Sequence, residues 1–261
     1  MTRREMLVGL GGILATGTCP AVLNNVPLCR VGKFAPSNPY VTDGLVAMWD
    51  GEWNAGIGVH DSEATSWVDC IVGKKLVSQG GHSWGNKALY VNEQWCWENL
   101  NNLVDIQSLS PYFDGPKTEG GGNTIEIVLN AEATGSKNIF GDRYTNVNIF
   151  TNNGKVCAWL GNGNNTVSNL PVGVSGTASF VVSKDTAIIN TSYSNGILSN
   201  SYQGRVYSGS NPMKKFGVGY GEYAAWGIAS GDIYCIRMYS RALTASEIAA
   251  NYAVDKARFN I

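Results

Sequence analysis

Between Asn123 and Tyr239 the chain repeats one pattern: a short run of β-branched and aromatic residues, then a turn of Asn, Gly or Ser. The runs include Asn123-Thr-Ile-Glu-Ile-Val-Leu129, Asn138-Ile-Phe140, Val147-Asn-Ile-Phe150, Lys155-Val-Cys-Ala-Trp-Leu160, Thr177-Ala-Ser-Phe-Val-Val182, Ala187-Ile-Ile-Asn-Thr191, Phe216-Gly-Val-Gly-Tyr220 and Ile233-Tyr-Cys-Ile-Arg-Met-Tyr239. Asn152-Asn-Gly154 and Ser194-Asn-Gly196 punctuate them, and Asn-Gly supplies the left-handed backbone that a tight hairpin requires. Strands at roughly ten-residue spacing predict an antiparallel, all-β sandwich. The 32 glycines agree with frequent tight turns.

The same period-two pattern begins at Tyr40 to Asp50, where Leu45, Ala47 and Trp49 alternate with Val46, Met48 and Asp50. Lys74 to Val77 and Ala88 to Val91 read as further strands. Trp49, Trp67 and Trp159 are assigned to the core, and Cys157 and Cys235 read as small core residues within strands. A late helix is predicted. Thr244 stands three residues before Glu247 in a capping box, and the helix runs to about Arg258, burying Ile248, Tyr252 and Val254.

Four segments, in order, carry a family likeness. They are Asp43-Gly-Leu-Val-Ala-Met-Trp49, the turn Trp67-Val-Asp69-Cys-Ile-Val-Gly73, the strand Asn123 to Asn130, and the strand Gly231 to Tyr239 with its Arg241-Ala-Leu turn and capped helix. Together they resemble LamG-like domains, a branch of the concanavalin A-like lectin/glucanase jelly rolls, from about residue 41 to the end. The second segment is similar to the family's W-x-D-x-x-x-G turn, although Lys74-Lys75 replaces its usual Asn-rich continuation. The resemblance implies an antiparallel two-sheet jelly-roll sandwich with a short C-terminal helix.

Residues 1–21 read as an export signal: Arg3-Arg4 followed by Met6-Leu7, then a glycine-rich apolar run from Val8 to Gly17, too short for an ordinary span. The arginine pair resembles a twin-arginine leader of a bacterial protein. Residues 22–40 read as a linker or irregular segment, and residues 41–261 as the jelly-roll domain. This division predicts a periplasmic, cell-surface or extracellular protein with no membrane span once the leader is removed. The six cysteines are scattered without a CxxC pair, which disfavours a zinc ribbon and leaves disulfide pairing open. A formal net charge of -1 argues against nucleic acid as a partner.

Glucanases of this jelly-roll fold use paired carboxylates, in many members at alternate positions of one strand. The strand expected to carry them here holds only Glu126, with Thr124, Val128 and Asn130 as same-face neighbours. Glu126 therefore reads as a solvated or hydrogen-bonded strand residue, and the chain as non-catalytic. The two histidines, His60 and His82, lie in separate glycine-bearing segments, and no Gly-x-Ser-x-Gly elbow is present. LamG-like domains often hold calcium at a loop rim, and Asp142 and Asp232 are candidate ligands for such an ion. The simpler reading is that each caps a turn. Sugar binding would use exposed rings with polar neighbours. Two segments qualify: Tyr220-Gly-Glu222-Tyr223-Ala-Ala-Trp226, and Trp84-Gly-Asn86 with the Trp95 and Trp97 region.

Three readings follow. The first is a non-catalytic module that recognises a glycan or cell-surface glycoconjugate. The second is a structural or adhesive domain that binds a protein. The third is a glycan-active enzyme with an acid pair that the sequence does not reveal. The aromatic loops favour the first.

Overall fold

The computed structural model describes residues 38–78, 82–91, 96–99, 121–133, 135–142, 148–159, 165–184, 186–204, 215–218 and 227–261. For residues 96–99, 142, 165 and 215–216 the description covers the backbone alone. Among these residues the strands are β1 (Leu45–Asp50), β2 (Ser66–Val68), β3 (Lys75–Val77), β4 (His82–Trp84), β5 (Leu89–Val91), β6 (Cys96–Asn99), β7 (Gly122–Glu132) and β8 (Lys137–Asp142). They continue with β9 (Asn148–Asn152), β10 (Lys155–Trp159), β11 (Asn165–Pro171), β12 (Gly176–Lys184), β13 (Ile188–Ser194), β14 (Ile197–Gln203), β15 (Lys215–Val218) and β16 (Ser230–Tyr239). One helix, α1 (Ala245–Phe259), follows. All described pairings between these strands are antiparallel.

One sheet has the order β14-β13-β12-β7-β16-β5-β4, with β1 also paired to β16. The second has the order β11-β10-β9-β8-β15-β6, and β2 and β3 form a small ribbon. The two large sheets pack face to face. Ile125, Ile127, Leu129, Phe180, Val182, Ile236 and Met238 from the first meet Ile139, Phe140, Ile149, Val156, Ala158 and Val218 from the second in one core. The all-β sandwich with a short C-terminal helix is thus the architecture of the protein. The hairpin turns predicted at Asn152 to Gly154 and Ser194 to Gly196 form with φ of 50° at Asn153, 73° at Gly154, 52° at Asn195 and 77° at Gly196. Asn and Gly tolerate these angles where β-branched residues do not.

Some elements differ from expectation. Trp84 ends strand β4 rather than standing in a loop, and β11 and β14, rich in Asn and Ser, are strands that composition does not mark. Tertiary pairing overrides their weak propensity. Trp49 and Trp67 are fully buried as expected, whereas Trp159 is only half-buried. Helix α1 has its capping box in place, with Thr244 and Glu247 satisfying each other's backbone N–H. Its buried stripe is Ile248, Asn251, Asp255 and Phe259 rather than Ile248, Tyr252 and Val254. Two of those four are polar because the sheet beneath offers polar partners.

Candidate functional site

Strand β7 is buried on both faces. Ile125, Ile127 and Leu129 enter the inter-sheet core, while Thr124, Glu126 and Val128 point to the outer side, where α1 lies. There Arg237 of β16 donates to Glu126 at 3.0 Å and forks onto Asp255 of α1 at 2.7 Å through each terminal nitrogen. Ser179 donates to Glu126 at 2.9 Å, Thr177 to Asp255 at 3.0 Å, and Asn251 to Glu126 at 2.6 Å. The guanidinium also lies 4.0 Å from the centre of the Tyr40 ring. Burial pushes the Glu126 carboxyl up against the pull of Arg237. Glu126 is therefore a hydrogen-bonded, fully buried core residue.

The outer face of the six-stranded sheet has a different character. Register places Trp159 of β10 opposite Asn148 of β9, Asn148 opposite Gly141 of β8, Gly141 opposite Gly217 of β15, and Gly217 opposite Trp97 of β6. Residues directly opposite share a face, so these five positions form one row across the sheet. The neighbouring row, Ala158, Ile149, Phe140 and Val218, enters the core, which puts the first row on the outer face. The middle of that row is two glycines wide and carries no side chain, and both glycines are themselves buried. From the β9 backbone to the β6 backbone is three strand spacings, about 14 Å.

Asn148 bounds this bare floor. It is 3% exposed, and its Nδ2 donates to the Oδ1 of Asn138 at a long 3.4 Å. Its Oδ1 is screened from solvent and has no hydrogen-bond partner. An orphaned buried acceptor costs free energy, about 1–3 kcal/mol by mutational measures, and calls for a donor. Asn138, 2% exposed, is tied to the segment beside β8: its Nδ2 donates to Gly227 O at 3.2 Å, and its backbone N–H to the same carbonyl at 3.0 Å. Cys157 and Phe150 form the next pair on the same face. Burial raises the Cys157 thiol to about 11, so it stays protonated at neutral pH.

The sequence-predicted site residues fall as follows. Tyr220, Glu222, Tyr223 and Trp226 lie outside the described residues. The chain on either side of them is fixed to β8: β15 pairs with it at Val218, and Gly227 and Ala229 bond Asn138. Trp84 packs edge-on against Trp67 at 5.6 Å between ring centroids, and its indole N–H is spent on Ala64 O at 2.7 Å. It faces the core side of β4, while Asn86 stands exposed in the following turn. Asp142 closes β8 in one sheet and Asp232 lies on β16 in the other. Among the described residues no group of three or more His, Cys, Asp or Glu side chains gathers as a metal site. The Asn148 row was not legible beforehand, because it is assembled from separate strands. Its available signal was the repeated Phe-Gly of Phe140-Gly141 and Phe216-Gly217.

No protein-family model and no curated protein matches the chain. Among solved structures, it is similar to a Trypanosoma rangeli sialidase in complex with 2,3-difluoro-KDN, with 13% identity and a TM-score of 0.58 over 98% of this chain and 38% of that one. The same enzyme in complex with sialic acid matches with 11% identity and a TM-score of 0.57, over 82% of this chain and 33% of that one. The receptor-binding domain of botulinum neurotoxin C/D mosaic serotype matches with 11% identity and a TM-score of 0.56, over 82% of this chain and 52% of that one. The chain thus spans between a third and about half of the length of these proteins. At such identities the likeness is one of fold, a β-sandwich.

Proposed function

We propose that the protein is a non-catalytic, exported carbohydrate-recognition module of LamG-like type, reading its ligand on the outer face of the six-stranded sheet. The observation that carries this reading is the bare Gly141–Gly217 floor between Asn148, whose Oδ1 lacks a donor, and the Trp97 position. A pyranose lies flat where no side chain rises, and a sugar hydroxyl supplies the donor that Asn148 lacks. Half-buried Trp159, at one end of the row, offers an apolar surface. The sandwich likeness to a sialidase solved with sialic acid and to a toxin receptor-binding domain supports a recognition role. Enclosure of Glu126 by Arg237 supports a non-catalytic one. The resemblance of Arg3-Arg4 and the apolar run after it to a twin-arginine leader supports export.

The test is a glycan array with the folded chain, with calcium and again with chelator, followed by Asn148→Ala and Trp159→Ala. A hit that weakens at least tenfold in both variants, while their melting temperatures stay near wild type, is the expected result. A hit that both variants leave intact removes the row from consideration. A protein-binding, adhesive role is the second reading, favoured by Ile197 and Leu198, 73% and 58% exposed on edge strand β14. Silence from the folded wild type on the array moves the assignment there.

A further inference from the structure

We propose that a second row, on the outer face of the eight-stranded sheet, is a binding site for a primary ammonium group. Register places Ser83 of β4 opposite Tyr90 of β5, Tyr90 opposite Asp232 of β16, and Asp232 opposite Asn130 of β7. Leu89, Val91, Leu129 and Ile233, adjacent to these along their strands, all enter the core, so this row faces outward. Directly opposed residues have Cβ atoms about 5 Å apart, which brings Asp232 within reach of both neighbours.

Two acceptors in this row have no donor among the described residues. Asn130 Oδ1 is screened from solvent without a partner. Among the described residues the Asp232 carboxylate accepts no hydrogen bond and meets no cation. Burial and the carboxylate of Glu132, two residues beyond Asn130 on β7, both push its proton affinity up. Glu132 has no counter-charge there either. Two carboxylates and an orphaned amide oxygen around one point repel any anionic ligand.

Calcium fits poorly, since it takes six to eight oxygens, and the backbone carbonyls here are already drawn into the β5–β16–β7 ladder. An ammonium needs less. Its three N–H donors match Asp232, Asn130 and one further acceptor, its single charge relieves the Asp232–Glu132 repulsion, and the half-buried ring of Tyr90 offers a π-face beside it. The alkylammonium can come from an amino sugar or from a lysine side chain. This site is independent of the Asn148 row.

Calorimetric titration of the full chain with fully deacetylated glucosamine tetramer, its N-acetylated counterpart and Nα-acetyl-lysine amide tests it. The deacetylated tetramer is expected to bind at least tenfold more tightly than the acetylated one, with Asp232→Asn erasing the difference. Binding of the lysine amide with the same loss in Asp232→Asn shows that the ammonium alone suffices; binding of the sugar amine alone shows that the ring is also read. Equal affinity for amine and acetamide, or an amine preference that survives Asp232→Asn in folded protein, overturns the proposal.

Discussion

Replacing Asp255 by Ala isolates the energetics of the polar core under α1. The substitution deletes both acceptors of the Arg237 fork and the partner of the Thr177 hydroxyl, leaving a guanidinium with no exposed side-chain surface. Glu126 remains beside Arg237 at 3.0 Å, but it also holds Ser179 and Asn251 and cannot fill the vacated side. Breaking a buried pair by removing one partner costs about 3–5 kcal/mol. For a domain of this size, each kcal/mol moves the melting temperature by roughly 2–4 °C, so a fall on the order of 10 °C is expected. Circular dichroism melts and urea titrations at neutral pH measure it. The companion variant Glu126→Leu/Arg237→Met/Asp255→Leu replaces the three charged side chains by apolar ones and recovers part of the loss, because it leaves no stranded charge although Ser179, Thr177 and Asn251 lose acceptors. A cost below about 1 kcal/mol for Asp255→Ala would refute the reasoning. So would a triple variant no more stable than the single one.

Two further outcomes follow from local geometry. Glu247 is held down from the ordinary 4.5 to about 2, chiefly by the Arg241 side-chain hydrogen bond and then by the Thr244 N–H. A depressed carboxylate stabilises above its unfolded pKa and loses that contribution as pH falls from 4.5 toward 2. Glu247→Gln should therefore lower the melting temperature at pH 7 and flatten its decline between pH 4.5 and 2, read by melts across that range. At Gly231, φ is +134° and an added Cβ would collide with Asn130 O, in a ladder where backbone cannot give way. Gly231→Ala should cost on the order of 2–3 kcal/mol in urea unfolding, whereas Gly135→Ala, with the same sign of φ but open space around it, should cost no more than about 1–2 kcal/mol.

What the sequence disclosed was local. Asn-Gly turns and the Thr244–Glu247 box act over a few residues, so their chemistry is visible without a fold. The absence of a second acid beside Glu126 was equally visible. Its partners were not: Arg237 lies 111 residues away, inside a run that otherwise reads as apolar strand. The helix face was misread for a related reason, since Asn251 and Asp255 look like solvent-facing residues until Glu126 and Arg237 are placed beneath them. Both proposed rows depend on register across several strands, and a register is set by bulges such as that between Asn138 and Phe140 or between Ile233 and Cys235. No periodicity along one strand reports such a match. The Ser- and Asn-rich β14 is strand only because β13 supplies its ladder.

The clasp between the two ends of the described domain sets the order in which it can be completed. Arg258 near the close of α1 donates to Asp50 at the end of β1 at 2.6 Å and to Tyr40 at 3.0 Å, and β1 finds its pairing in β16. Those partners are separated by more than two hundred residues. A nascent chain therefore carries β1 with an unsatisfied edge, and Asp50 without its cation, until nearly everything between has been synthesised. High contact order of this kind makes folding slow and leaves apolar strand edges open meanwhile. The last strand and helix of this domain secure its first strand, and its exposure to aggregation ends only when they do.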